Sequence, residues 1–209
     1  MLLNQLIKFE TERLLIRVVE TRDLPDLLEI NSTDEVTRYV PYKTWGSTAD
    51  SEAWFERMAT LQSSGTAVQL VLALRDSGRV IGACLIFAFD EVSLRAEIGY
   101  VLGVRDSGRG YMAEAVSAVV AFAFEELGMR RLEATIDPRN GASVKLIERM
   151  GFNHEGTRRQ RVLMKGTLVD QSLYGCLRDD WIAVRRGSEQ GTGRDIADAY
   201  GTTCRPDCV

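Results

Sequence analysis

The residues of this sequence best suited to chemistry form a short glycine-containing loop, Arg105–Gly110. An alternating apolar segment precedes the loop and a long stretch with helical periodicity follows it, so the loop connects a predicted strand to a predicted helix. Glycines let the backbone turn sharply and bring its N–H groups close to a ligand. The N-terminus of a helix adds unsatisfied donors and a partial positive charge. Together these features make a site for a pyrophosphate.

Three interpretations of this loop are open from its own residues. A P-loop requires a lysine and a hydroxyl residue where Arg109 and Gly110 stand. A dinucleotide-binding fingerprint fits Gly108, Gly110 and Ala113, with Glu133 about 20 residues further along the chain. That unit, however, follows a run of antiparallel strands, leaves too little chain for a doubly wound sheet, and has Glu133 inside its strand. The third interpretation is a plain turn.

The segments on either side of the loop predict an α+β (α/β) fold. Alternating apolar residues predict a strand at residues 11–19. Further strands are predicted at residues 67–74, 80–89, 95–102, 131–136, 152–164 and 168–177. Helical spacing predicts helices at residues 22–30, 48–61, 111–127 and 140–150, with Asn140 as a cap and Gly151 just past the last end. Short links make the first strands antiparallel neighbours. We expect one domain over residues 1–186 and a flexible tail over residues 187–209.

The composition narrows the class of protein. A chain of 209 residues with 45% hydrophobic residues suffices for one domain with a substantial core. The formal net charge of -4 argues against a general nucleic-acid binder. No apolar run approaches the roughly 20 residues that cross a bilayer, and the N-terminus has no signal-peptide pattern. We therefore expect a cytoplasmic protein without nucleic-acid or membrane partners.

The cysteines predict no metal site. Cys84 and Cys176 lie inside apolar strand-like runs, where a reduced, buried thiol is expected. Cys204 and Cys208 lie in the tail, have no second ligand pair, and are far in sequence from His154, the single histidine.

Arg105-x-x-Gly108-x-Gly110 resembles the acyl-CoA pyrophosphate loop of the GNAT acetyltransferase superfamily. The resemblance extends from about Thr11 to Trp181 and is nearest to the branch of ribosomal-protein N-terminal (alanine) acetyltransferases. The matching motifs, which are individually short but occur in the family's order and spacing, are Thr11–Arg17, Glu97–Tyr100, Gly110–Ala115, Asn140-x-x-Ser143, Met150–Phe152 and Asp170–Trp181.

This resemblance implies a single domain with a mixed, strongly curved sheet of about seven strands, mostly antiparallel, with helices on both faces. The sheet splays open between its fourth and fifth strands, here between Tyr100–Leu102 and residues 131–136. The resemblance also implies acetyl-CoA as co-substrate, a primary amine as acceptor, no metal, and a homodimer as the usual assembly. The residues it assigns to the cofactor are Tyr100, Val101, Leu102, Arg105, Ser107, Gly108, Arg109, Gly110, Tyr111 and Asn140.

Two side chains are the candidate catalytic groups. Strand alternation puts Glu97 on one face with Gly99, and the related branch carries a glutamate at this position, which implies a general base for the amine. The alternative is an ion pair, for instance with Arg95. Ser143 lies in the first turn of a helix, and the branch assigns a matching serine to the thiolate; other family members use a tyrosine where Ile147 stands here. An ordinary first-turn serine is the alternative.

The acceptor site falls, by the same resemblance, at residues 31–45 and 161–167. Tyr39, Tyr42 and Trp45 are candidates to line it, although packing of an irregular segment explains them equally well. The residues do not distinguish a protein N-terminus from a polyamine, an amino acid or an aminoglycoside. Direct attack in a ternary complex is the expected reaction. The alternatives are a non-catalytic acyl-CoA-binding module and an NAD-dependent enzyme, which requires a parallel sheet.

Overall fold

One mixed sheet organises the computed structural model, which describes residues 7–186. Its eight strands lie in the order β1-β2-β3-β4-β5-β6-β8-β7. They are β1 Lys8–Glu10, β2 Leu14–Val18, β3 Ala67–Leu74, β4 Val80–Asp90, β5 Arg95–Leu102, β6 Arg131–Ile136, β7 Asn153–Met164 and β8 Thr167–Leu177. Among the strands of residues 7–186, only β5 and β6 pair in parallel. The seven predicted strands are confirmed, and β1 is an eighth that the sequence pattern missed.

Helices cover both faces of this sheet, as predicted. They are α1 Leu24–Asn31, α2 Asp34–Thr37, α3 Thr48–Ser63, α4 Tyr111–Glu125, α5 Gly141–Arg149 and α6 at residues 178–186. One core cluster joins the sheet to α4, α5 and α6, with Phe124 and Ile147 fully buried in it. A second cluster joins the opposite face to α1 through Leu27. The fold is therefore a three-layer arrangement in which the longer helices bury apolar side chains against the sheet.

The sheet opens where β5 and β6 separate. Their parallel pairing covers three residue pairs, from Arg95↔Arg131 to Glu97↔Glu133. Beyond these pairs β5 continues beside β4 as far as Leu102, and β6 continues beside β8 as far as Ile136. The predicted splay is confirmed. A doubly wound parallel sheet, which a dinucleotide-binding enzyme requires, is not what the described strands form.

The loop before α4 is held in place by Arg13, at the end of the turn that precedes β2. The Arg13 backbone N–H and Nε donate to the Glu114 carboxylate at 2.8 and 2.7 Å, and the Thr11 hydroxyl donates to it at 2.5 Å. Arg13 Nη1 also donates to the carbonyl of Arg109 at 2.9 Å, and its guanidinium lies 4.4 Å from the centre of the Tyr111 ring. Two motifs that are about a hundred residues apart in sequence therefore form one structural unit.

Several predictions about the rest of the chain can be compared with the described residues. Cys84 and Cys176 are free, buried thiols, as expected, and burial raises the pKa of each to about 12. Cys204, Cys208 and the predicted tail lie outside the described residues. No helix between residues 7 and 186 has the length and apolar character needed to cross a membrane.

The Glu114 carboxylate gives a pH-dependent test of this unit. Burial opposes its ionisation, but the hydrogen bonds from Thr11 and Arg13 outweigh that effect and lower the pKa of Glu114 below its usual value of 4.5. A carboxylate whose pKa is lowered by folding adds to the free energy of unfolding. This contribution is complete at a pH above the pKa of the unfolded state, and it is lost as the pH falls through the pKa of the folded state. We expect Glu114→Gln to reduce the free energy of unfolding by about 1–3 kcal/mol at neutral pH, and the difference from wild type to shrink below pH 4.5.

The matched control is Glu125→Gln at the other end of α4. Glu125 pairs with Arg185 at 3.2 Å, but its side chain is 49% exposed. Exposed ion pairs contribute less than about 1 kcal/mol, so this variant should unfold almost like wild type in urea titrations. A pH-independent effect of Glu114→Gln would contradict the assignment.

Candidate active site

A cleft of about 1300 Å³ runs through the splay of the sheet. One end lies at the loop before α4, where Ser107, Gly108 and Gly110 line it. Its middle is formed by β5 and the start of α5, and its other end by α2, α3 and the β7–β8 hairpin. Of the predicted site residues, those that line the cleft are Glu97, Tyr100, Val101, Leu102, Ser107, Gly108, Gly110, Asn140, Ser143, Tyr39 and Tyr42.

The loop end of the cleft has the features of an anion site. Gly108 and Gly110 adopt φ values of +76° and +81°, which residues other than glycine rarely adopt. A Cβ built at Gly108 meets nothing within 4 Å, so the backbone there is open to a ligand. No side chain caps the N-terminus of α4, and the first-turn N–H groups of the helix therefore stay available to a phosphate. These residues fit a pyrophosphate.

Three predicted cofactor residues at this loop do not line the cleft. Arg105 forms an ion pair with Glu29 at 2.5 Å, and its side chain is 81% exposed. Arg109 contributes its carbonyl to Arg13, and the Tyr111 ring lies under the Arg13 guanidinium. Arg109 and Tyr111 therefore hold the shape of the loop in this structure.

The sequence pattern also missed Asp106, a buried residue that holds the loop before α4 in place. Asp106 is only 2% exposed, and both of its oxygens accept hydrogen bonds from Arg79, at 2.8 and 2.9 Å. The Arg79 guanidinium outweighs the opposing effect of burial and lowers the pKa of Asp106. An acidic residue beside a phosphate loop is repulsive when it is free, and pairing removes that charge from the site.

The middle of the cleft is an open strand edge. From Ile98 to Leu102, β5 has β4 on one side and no pairing with β6 on the other. An unpaired edge presents backbone donors and acceptors to an extended ligand. The edge is continuous with the loop at Gly108, so one elongated molecule can contact both.

Glu97 lies half-buried at the closed end of this edge. Its neighbours in register are Phe87 on β4 and Glu133 on β6. Arg95, the ion-pair partner that the sequence offered for Glu97, binds Glu133 instead, at 3.0 Å. Within residues 7–186 the Glu97 carboxylate has no hydrogen bond or ion pair, and it faces the cleft. It is therefore free to accept a proton from a ligand.

Ser143 is paired with Tyr100, a residue that the family resemblance assigns to the cofactor. The Ser143 hydroxyl donates to the phenol oxygen of Tyr100 at 2.9 Å, and the Ser143 N–H donates to the cap residue Asn140 at 3.2 Å. Burial raises the pKa of Tyr100 to about 12, although the bond to Ser143 opposes the shift. Both hydroxyls therefore carry their protons at neutral pH. Ile147, by contrast, is fully buried in the core.

The aromatic residues near α2 divide between the cleft and the core. Tyr39 lines the cleft, and Tyr42 lines it while donating to the side-chain oxygen of Asn31 at 2.8 Å. Trp45 is 5% exposed and packs 5.5 Å from Trp54, so it belongs to the core. Trp54 itself lines the cleft, which the apolar stripe of α3 did not reveal.

Comparison with known proteins agrees with this arrangement. A model of the acetyltransferase (GNAT) domain matches residues 13–153. The chain is 31% identical to the N-acetyltransferase p20 of Bacillus licheniformis, over 82% of this chain and 96% of that protein. It is 26% identical to the ribosomal protein uS5-alanine N-acetyltransferase of Escherichia coli, over 84% of this chain and 93% of that protein.

The fold also resembles that of Mycobacterium smegmatis RimJ, solved in complex with CoA-disulfide. The TM-score is 0.76 at 20% identity, and the match covers 85% of this chain and 89% of that one. The domain model spans most of the chain, and the splayed sheet is the one that the resemblance predicted. The chain belongs to the GNAT acetyltransferase family and is an N-acetyltransferase.

Proposed function

We propose that the chain moves the acetyl group of acetyl-CoA directly to a primary amine, with Glu97 as general base and Ser143 as donor to the departing thiolate. The acceptor is a protein N-terminal α-amine or a small-molecule amine. The observation that carries this proposal is the content of a single cleft. It joins an unpaired carboxylate, a hydrogen-bonded hydroxyl pair and an uncapped helix N-terminus.

The cofactor is assigned to the loop end and the open edge. Acetyl-CoA supplies a thioester whose carbonyl an amine can attack. The first-turn N–H groups of α4, with Gly108 and Gly110, suit its pyrophosphate, and the edge from Ile98 to Leu102 suits its extended arm. The CoA-disulfide held by the RimJ neighbour supports this assignment.

Glu97 has the environment that a base requires. An amine reaches the cleft mainly as ammonium and must lose a proton before it becomes a nucleophile. A carboxylate committed to an arginine accepts that proton poorly, whereas Glu97 has no such partner among the described residues. The proton passes to Glu97 directly or through one water molecule.

Tyr100 and Ser143 share the second proton transfer. When the C–S bond breaks, negative charge develops on sulfur, and a nearby hydroxyl donor lowers the barrier. Ser143 sits in the first turn of α5, where the helix dipole also favours negative charge. In this structure the Ser143 hydroxyl donates to the Tyr100 phenol oxygen at 2.9 Å, so it must rotate toward sulfur before it donates its proton there. The Tyr100 phenol can then donate to the Ser143 oxygen in its place. Tyr100 thus acts as a positioning residue for Ser143.

The cellular setting follows the same proposal. We expect the enzyme to act in the cytoplasm, as a homodimer, and without nucleic-acid or membrane partners. These expectations come from composition and from the family resemblance.

A ligand panel tests the cofactor first. Acetyl-CoA and CoA at about 100 times their dissociation constants should each stabilise the protein by roughly 2.7 kcal/mol, a rise of a few degrees in Tm. NAD and ATP should give no rise. A shift by NAD or ATP alone would falsify the cofactor assignment. Acetyl-CoA binding without acetylation of any amine would identify a non-catalytic acyl-CoA-binding module.

Glu97→Gln tests the base. The amide keeps the shape of the side chain but cannot accept the proton, so kcat should fall by about 10²- to 10⁴-fold. Acetyl-CoA should still raise the Tm of the variant. The matched control is Glu52→Gln, an exposed position on α3 away from the cleft, which should turn over like wild type. Unchanged turnover of Glu97→Gln would remove Glu97 from the mechanism.

Ser143→Ala and Tyr100→Phe test the hydroxyl pair. Each variant removes one oxygen from the pair, so kcat should fall roughly tenfold while the acetyl-CoA affinity changes little. The double variant should lose little more than either single one, because residues that act as a unit are not additive. Ser117→Ala, on the exposed face of α4, is the control. Additive losses would mean that Tyr100 and Ser143 act separately.

A further inference from the structure

The acceptor end of the cleft is rich in arginines that have no carboxylate partner. Arg38 follows α2, Arg57 lies on α3, and Arg158 and Arg161 lie on β7; all four line the cleft. None of them forms a salt bridge or a side-chain hydrogen bond with any of residues 7–186. Arg57 has only an electrostatic interaction with the phenol of Tyr42.

Elsewhere in the described chain some arginines are paired with carboxylates and others are not, so what distinguishes these four is that all of them line one cleft. Arg13, Arg17, Arg79 and Arg131 each bind a carboxylate at 2.8 Å or closer. The whole sequence has 30 acidic and 26 basic residues, so it contains enough carboxylates to pair with every arginine and lysine. Leaving four arginines unpaired around one cleft gives that cleft a positive potential, against the negative charge of the chain as a whole.

The carboxylates of the cleft do not cancel this potential. They are Glu35, Glu97 and Asp137. Asp137 is already bound by Arg139, with Nη2–Oδ2 at 2.5 Å, which lowers its pKa. Arg139 and Lys165 line a side cavity of about 220 Å³ that adjoins the acceptor end. Among the described residues that line the cleft, the four unpaired arginines therefore outnumber the two unpaired carboxylates, Glu35 and Glu97.

A bulge in β7 brings two of the arginines to the same side. The register changes from Arg158↔Gln171 to Val162↔Val169, so three residues of β7 lie opposite the single residue Asp170. In a regular strand, positions 158 and 161 point to opposite faces. The bulge, with Gln160 at a φ of +50°, removes that alternation, and both arginines reach the cleft. Arg159, between them, does not line it.

We propose that the acceptor is an anionic primary amine, a molecule whose amino group lies near a carboxylate or a phosphate that these arginines bind. The proposal rests on the acetyl transfer proposed above and names its substrate class. Guanidinium groups bind both anions through paired N–H donors. The same positive potential disfavours the ammonium form of the bound amine and so eases its deprotonation by Glu97. It also repels polyamines.

Matched amine pairs test the proposal on the full chain. 4-Aminobutyrate is compared with butylamine, and O-phosphoethanolamine with ethanolamine, which separates carboxylate from phosphate. A peptide with aspartate after its N-terminal alanine is compared with the lysine version, and spermidine is the cationic contrast. Acetylation is read by mass spectrometry as kcat/KM, and binding to the CoA-loaded protein is measured by calorimetry. Each anionic member should exceed its partner by about tenfold, less at high ionic strength.

Arginine variants test which residues cause the preference for anionic amines. The double variant Arg158→Gln/Arg161→Gln should lose about tenfold in kcat/KM for the anionic members and less than about twofold for the neutral ones. Arg159→Gln, on the same bulge but outside the cleft, should behave like wild type for both. Equal or better use of neutral and cationic amines, or failure of every anionic member to bind, overturns the proposal. In those cases acetyl-CoA binding and acetylation of other amines still support the transferase, whereas loss of both removes the proposed function itself.

Discussion

The early end of the pairing between β5 and β6 is the constraint on which the rest of the structure depends. Three residue pairs join the strands, and then each follows a different neighbour. Continued pairing would satisfy the β5 edge with backbone bonds and close the cleft. Ion pairs stabilise the end of the cleft where β5 and β6 still pair: Glu133 accepts hydrogen bonds from Arg95 at 3.0 Å and from Arg131 at 2.8 Å. Gly175 leaves room for this cluster: a Cβ there would lie 2.5 Å from the Arg131 guanidinium and would displace the flexible end of that side chain.

The same cluster explains why the Glu97 carboxylate has no partner within residues 7–186. Glu97 and Glu133 are neighbours in register on the same face, and the two nearby arginines both bind Glu133. One glutamate is thereby committed to holding the strands together, while the other faces the cleft. At the loop end, similarly, Asp106 and Glu114 are neutralised by Arg79 and Arg13, so neither carboxylate opposes an anionic ligand. The ion pairs of this protein therefore determine which side-chain charges remain available to a ligand.

The features predicted well from the sequence are those carried by local periodicity. The bounds of β5 and β6 follow from alternation and those of β3 from a nearly continuous apolar run, and the loop at Gly108 follows from its glycines and the helix after it. The family resemblance located the splay. What periodicity could not show are contacts between distant segments. The bond between Ser143 and Tyr100 joins residues 43 apart in sequence, and that of Arg13 with Glu114 joins residues 101 apart. The packing of Trp45 likewise depends on where α3 lies.

The β7 bulge shows why the acceptor end was hardest to predict. A period of two assigns Arg158 and Arg161 to opposite faces, and one irregular stretch of three residues reverses that assignment. Bulges leave little trace in composition, since Gln160 is not a residue that marks a positive φ. The end of the cleft that we propose for the acceptor is thus built from irregular backbone, whereas the end that we propose for the cofactor is built from a strand, a loop and a helix start. The proposed cofactor end is for that reason recognisable from motifs in the sequence, and the charge proposed to select an acceptor becomes visible only when the hairpin, α2 and α3 are placed around one cleft.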